Sequence, residues 1–305
     1  MKSLLIIIVL LLMSKNTFSQ IRCNLEIFDL ESLSRDIIFS DTTHFEAPNW
    51  SPDGKFLIFN SDGRLFRFDL ISKTKEHIPT GHLKTLNNDH GFSPDGTQIA
   101  ISAYDPPEDA ELPKENWLTS KIYTIPVTGG EPKLITKKAP SFWHGWSPDG
   151  NTLVFTGRRN NDFNIYAIDV QGNKETELTN ASGLDDGPEY SPNGKYIYYN
   201  SMKSGKMELW RMKADGSTKE QLTNDTYSNW FPHPSPDGIY LIYIAYLEDQ
   251  GADHPAMKNV ALRLFNLNNQ TVKTICEFIG GQGTINVSSW SPDGKRFAFV
   301  SYEYL

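Results

Sequence analysis

Apolar and polar positions along the chain fall into a repeated pattern of short strands and tight corners. The corner is Ser-Pro-Asp-Gly at Ser51, Ser93, Ser147, Ser235 and Ser291, and Ser-Pro-Asn-Gly at Ser191. Successive corners lie 42, 54, 44, 44 and 56 residues apart, the spacing of a four-stranded propeller blade. Turn chemistry accounts for the tetrapeptide. Pro presets φ at the first corner residue, Asp or Asn bonds the backbone just ahead, and Gly supplies the positive φ that closes the turn. An aromatic precedes the corner in five copies: Trp50, Phe92, Trp146, Tyr190 and Trp290. Apolar runs follow at 56–59, 99–101, 153–155, 196–198, 241–243 and 297–299. Such unbroken runs predict strands buried on both faces between neighbouring blades.

Third strands are predicted at 65–70, 122–127, 165–170, 209–212 and 262–267, and fourth strands ending at Thr136, Thr179 and Thr223. The sixth copy breaks off after its second strand, at Leu305. Its missing half stands at the other end of the chain, where Phe28-Asp29-Leu30 repeats Phe68-Asp69-Leu70 and residues 35–39 supply an outer strand. The expected fold is therefore all-β, a six-bladed β-propeller of four-stranded blades. N-terminal strands pairing with C-terminal strands in blade six close the ring and remove its free edges.

Residues 1–19 read as a signal peptide, leaving residues 20–305 as a single propeller domain. Lys2 is followed by an apolar run at 4–13, about half the length that spans a membrane. Thr17 and Ser19 are small residues placed for a cut before Gln20, and Arg22 before Cys23 argues against lipid attachment. The expected location is periplasmic or secreted, with no membrane span in the mature chain. Without Lys2 and Lys15, 27 of the 29 basic residues face 37 acidic ones, a net charge near −10. That balance speaks against nucleic acid as a partner. The two cysteines, Cys23 and Cys276, are expected to be lone thiols. A single bridge between outer strands of neighbouring blades is the alternative.

Four antiparallel strands per blade put the corners on one face and the segments entering each first strand on the other. Residues three to six before each corner Ser then ring the mouth of the central channel. This places Glu46, Asn88, Asp89, His90, Trp143, His144, Asp185, Asp186, Trp230 and Asn286 on one face, with His233 two before its Ser and Gln282 from the Gly280–Gly283 stretch. They form the expected ligand-binding set. His90 and His144 occupy the place where blades one, four and five carry Pro48, Pro188 and Pro232. Neutral imidazoles suit borderline divalent metals, so His90, His144 and His233 are candidate ligands for such a metal. An anionic sugar is the other occupant this chemistry fits. Two insertions flank the same face, 105–117 with Asp105, Glu108, Asp109 and Glu111, and 248–258 with Asp253 and His254. Long loops on a rigid scaffold commonly carry binding.

The recurring aromatic-Ser-Pro-Asp-Gly, apolar strand and later Leu-Thr resemble the repeats of the TolB-like (PD40, WD40-like) propellers. The resemblance implies six blades across the mature chain. The propeller fold and the absence of a complete catalytic constellation in the sequence lead to the expectation of a ligand- or protein-binding module whose partner is a glycan, a peptide or an envelope protein. Propellers host many unrelated functions, so fold alone names none. A similarity to oligogalacturonate lyases implies the alternative, a divalent-metal-dependent carbohydrate-active enzyme, lyase or hydrolase, drawing on His90, His144, His233 and Gln282. No catalytic residue is assigned by either resemblance.

Overall fold

Each polar corner closes in the same way. In the first, Ser51 Oγ donates to Asp53 at 2.8 Å and the Gly54 amide donates to the Ser51 carbonyl at 2.9 Å. Gly54 has φ +74°, and its five counterparts lie between +69° and +72°, a region that strains any side chain. The corners also interlock around the ring. A Cβ on Gly96 would lie 3.5 Å from Pro52, and one on Gly54 would lie 3.8 Å from Pro292, so the last corner leans on the first.

The structure is a computed structural model describing residues 20–104 and 116–305. The expected signal peptide and the acidic residues Asp105, Glu108, Asp109 and Glu111 lie outside the described residues. Blade one runs from the channel outward as Glu46–Trp50, Phe56–Ser61, Arg64–Asp69 and Lys75–Ile78. Blade two is Leu86–Phe92, Gln98–Tyr104, Ser120–Pro126 and Lys133–Leu134. Blade three is Ser141–Trp146, Thr152–Arg159, Asp162–Asp169 and Glu175–Glu177. Asp185–Tyr190, Tyr196–Ser201, Glu208–Lys213 and Glu220–Gln221 make blade four. Ser228–Pro234, Tyr240–Tyr246, Lys258–Asn266 and Val272–Gly280 make blade five. Neighbouring strands within each blade are antiparallel.

Blade six joins the two ends of the chain. Ile21–Asp29 pairs along its length with Arg296–Tyr304, from Ile21 opposite Tyr304 to Asp29 opposite Arg296, and Arg35–Asp41 forms the outer strand. Its innermost strand is reduced to one bridge, Trp290 to Phe297. Buried Glu26 sits in this seam, accepting from Ser301 and from Arg35 Nη2 at 2.7 Å. The Arg35 guanidinium lies 4.9 Å from the Phe278 ring centroid, which ties blade six to blade five.

Cys23 belongs to the third strand of blade six, not to an outer strand as expected. Only Cys276 is on an outer strand, and both thiols are free. The Leu-Thr signature has a clear physical role beyond the short outer strands. Thr136, Thr179 and Thr223 each accept the amide of the third strand, from Ile122, Ile165 and Leu209, all at 2.9 Å. A side-chain oxygen thus satisfies a buried N–H that would otherwise lose its partner.

The faces between blades are packed with the apolar second strands, Leu57, Ile58 and Phe59 among them, all fully buried. Packing at the inner strands is equally tight. A Cβ on Gly91 would lie 2.2 Å from the Trp143 ring. Gly91→Ala is therefore expected to destabilise the protein by about 1–3 kcal/mol through overpacking, read as a lower melting temperature in thermal unfolding. An unchanged melt would show that Trp143 moves aside freely.

Candidate functional site

Every regular inner strand carries an irregularity where it reaches the channel. The register shifts between Glu46 and Asn49, Leu86 and His90, Trp143 and Gly145, Asp186 and Glu189, and Trp230 and His233. Such bulges turn side chains away from strict alternation. They decide which expected residues meet. His144 is the unpaired residue of the blade-three bulge and points into the mouth. His90, at the same distance from its corner, is paired opposite Ile101 and turns into the blade interface.

A cavity of about 550 Å³ opens at the mouth, lined among others by Asn88, Asp89, His144, Asp186, Gln282 and Asn286. Those six come from the expected set. Tyr104, Trp117, Phe142, Phe163 and Phe231 supply aromatic walls, and Asp253 and His254 reach it from the blade-five insertion. Trp117 comes from a single helical turn, Asn116–Thr119, at the end of the blade-two insertion, and its ring lies 5.9 Å from that of Phe163.

The chemistry centres on three buried groups from three blades. His144 Nε2 lies 3.2 Å from Asp186 Oδ1, which also accepts from Thr156 Oγ1 at 2.7 Å and the Gly187 amide at 2.8 Å. Asp89 accepts from Asn87 Nδ2 at 2.5 Å. Burial opposes charge on His144, but Asp89 and Asp186 outweigh it and hold the imidazole above its ordinary value. Asp186 is buried, yet its bond to His144 and the neighbouring charges hold its carboxyl down, to about 2. Asp89 goes the other way. Burial first, then Asp186 and Glu46, push it up to about 7 against the pull of His144. His144 Nδ1 lies near the Asn286 carbonyl without closing a hydrogen bond.

The other expected residues have different surroundings. His233 is bonded at both nitrogens, to Glu189 at 2.5 Å and to the Ile285 carbonyl at 2.6 Å, and so ties blade five to blades four and six. His90 is buried near the Ala47 and Ile58 carbonyls, and burial pushes it down to about 4. Glu46 turns to His44, 3.3 Å away. Asp185 is buried opposite Ser201. Trp143 and Trp230 are packed inside the core, with Trp230 4.5 Å from the His254 ring, so neither indole offers a face to a ligand. His90, His144 and His233 therefore do not converge. Among the described residues, no group of three or more His, Cys, Asp or Glu is placed to hold a metal ion.

These features define a closed six-bladed propeller with a charged, aromatic-walled pocket at one end of its channel. The chain belongs to the TolB-like β-propeller family. The family profile described as TolB beta propeller domain matches residues 118–271. An uncharacterized protein of Agrobacterium fabrum is 43% identical over 282 residues, covering 92% of each chain. A solved structure described as a candidate TolB from Agrobacterium tumefaciens superposes with a TM-score of 0.87 at 43% identity, over 93% of this chain and 99% of that one. The Tol-Pal system protein TolB of Francisella tularensis is 26% identical over 147 residues, 47% of this chain and 32% of that protein.

Proposed function

We propose that the protein is an exported binding module that takes a small ligand, or a segment of a partner protein, into the channel-mouth pocket. The observation that supports this most directly is the set Asp89, His144 and Asp186, buried together at the pocket floor. Buried charges are costly for a fold and are often replaceable by apolar residues without loss of stability. The six-bladed frame elsewhere fills comparable inner positions with packed residues such as Trp143 and His90. Charges gathered under an accessible cavity instead suit recognition of something that enters it. Export is supported by the signal-peptide pattern of residues 1–19, and no helix among the described residues is long and apolar enough to cross a membrane.

A thermal-shift screen of the mature chain against amines, sugars, organic acids and short peptides tests the reading. Some members are expected to raise the melting temperature of the parent, and to leave His144→Ala and Asp186→Asn, shown folded by circular dichroism, unshifted. Ligands that stabilise parent and both variants equally would remove the pocket from the account.

A further inference from the structure

We propose that the pocket receives a primary ammonium group carried on an apolar chain, with Asp89 as its counter-ion. This inference rests on the binding reading above and narrows it to one chemical class.

Among the described residues, the pocket floor is short of positive charge. Two buried carboxylates, Asp89 and Asp186, share one imidazole, and His144 is already bonded to Asp186. Among the described residues, every other titratable group around Asp89 is neutral or acidic. Glu46 approaches from blade one, and Tyr104 from its own blade. From blade five, burial favours the neutral form of His254, and Asp253 adds a further carboxylate. No Lys or Arg lines the cavity among the described residues. Arg158 is at the rim, stacked 5.8 Å from Trp117 and 5.7 Å from Phe163.

Asp89 also has acceptor capacity left over. One oxygen takes the Asn87 amide; the other has no donor among the described residues. A buried carboxylate with a free oxygen, sharing its one nearby imidazole with a second carboxylate, is a poor arrangement for the empty protein. A ligand that brings a cation completes it. The walls narrow the class further. Tyr104 and Phe142 offer ring surface that attracts an ammonium and covers its alkyl chain, while Trp117 and Phe163, stacked with Arg158, close the rim. A bare divalent cation would ask instead for several oxygen ligands at once, and anions would meet Asp89 and Asp186.

Calorimetric titration of the mature chain decides the matter with four probes of matched length: 1,5-diaminopentane, N-acetyl-lysine methylamide, pentane-1,5-diol and glutarate. One or both amines are expected to bind, while the diol and glutarate do not. Binding by the diamine alone would point to a free amine as the natural ligand, and binding by the lysyl amide alone to a lysine of a partner protein. Because the ammonium needs Asp89 ionised, affinity should be about tenfold higher at pH 8 than at pH 6. Asp89→Asn should lower it at least tenfold without lowering the melting temperature.

Binding of the diol or glutarate in place of the amines, lost in His144→Ala, would overturn the ammonium proposal and leave the binding module standing. Silence of all four probes would also overturn it, and the broader screen would then decide the binding reading by itself. Amine binding that Asp89→Asn leaves intact would overturn it as well.

Discussion

A chain that begins at Thr42 is expected to lose cooperative folding. Residues 21–41 contribute two of the strands of blade six, and Ile21–Asp29 lies between Arg296–Tyr304 and the outer strand Arg35–Asp41. Removing them exposes Arg296–Tyr304 as a long open edge, a ready template for pairing with other chains. It also uncovers Phe297, Phe299 and Val300, all fully buried in the intact ring. Ser301 and the blade-five face around Phe278 lose Glu26 and Arg35 as partners. A milder version is Leu25→Ala, at a fully buried position of the same strand. It is expected to cost about 2–5 kcal/mol, a large share of the ~5–15 kcal/mol by which domains are stable. Thermal unfolding and size-exclusion chromatography check both variants. The truncated chain should aggregate or melt without a sharp transition, and a peptide of residues 20–41 added in trans should restore one. A truncated monomer that melts as sharply as the parent would show that five blades close on their own.

The elements that carry this ring were legible because they rest on local chemistry repeated six times. A Ser-Pro-Asp-Gly corner has one conformation that suits all four residues, so six copies located six hairpins. The half-blade at the N-terminus followed from the sixth copy breaking off after its second strand and from Phe28-Asp29-Leu30 repeating the third strand of blade one. The Leu-Thr signature was visible, although its action was not. The threonine works through one hydroxyl bond to the third strand, and the outer strand ends before it.

The pocket was legible only in part, and the reason lies in the bulges. Distance from the corner Ser gives the level of a residue along the channel. It does not give its direction, because the inner strand of blade two slips its register by two residues where the other regular ones slip by one, and the bulge of blade three sits at its own place along the strand. His90 and His144 share an offset of three, yet one enters the blade interface and the other the cavity. Asp89 and Asp186 reach the same cavity from offsets of four and five. Trp143 and Trp230, which position placed in the expected ligand-binding set, serve as core filling. The aromatic walls came instead from residues such as Trp117, in the helical turn that ends the blade-two insertion, and Phe163, at the start of the third strand of blade three. No periodicity marks such residues.

Asp89→Asn is expected to stabilise the unliganded protein at pH 8. The folded-state value of Asp89 is raised to about 7 from 3.8, with burial the largest cause. A carboxyl raised in this way favours the fold fully below its unfolded value. That contribution is lost as pH rises from about 4 through about 7. By pH 8 the ionised group opposes folding by something on the order of 2–4 kcal/mol. Asparagine keeps the shape and never ionises, so the variant escapes that penalty. The gain should therefore be small at pH 4.5, grow through pH 6 and level off above 7. His144 does not change this order. Asp89 helps hold its value up only while ionised, and at pH 4.5 Asp89 is protonated, so the variant forfeits little of that support where the imidazole is charged. Asp186, held down to about 2, keeps its contribution down to acid pH in both proteins. Urea unfolding of parent and variant at pH 4.5, 6 and 8 measures the difference directly. A variant less stable than the parent at pH 8 would mean that the protein itself satisfies the Asp89 charge, and no ligand cation would be called for. A more stable variant that no longer binds amines would place stability and recognition in opposition at one residue, as expected where a site is kept incomplete for what it receives.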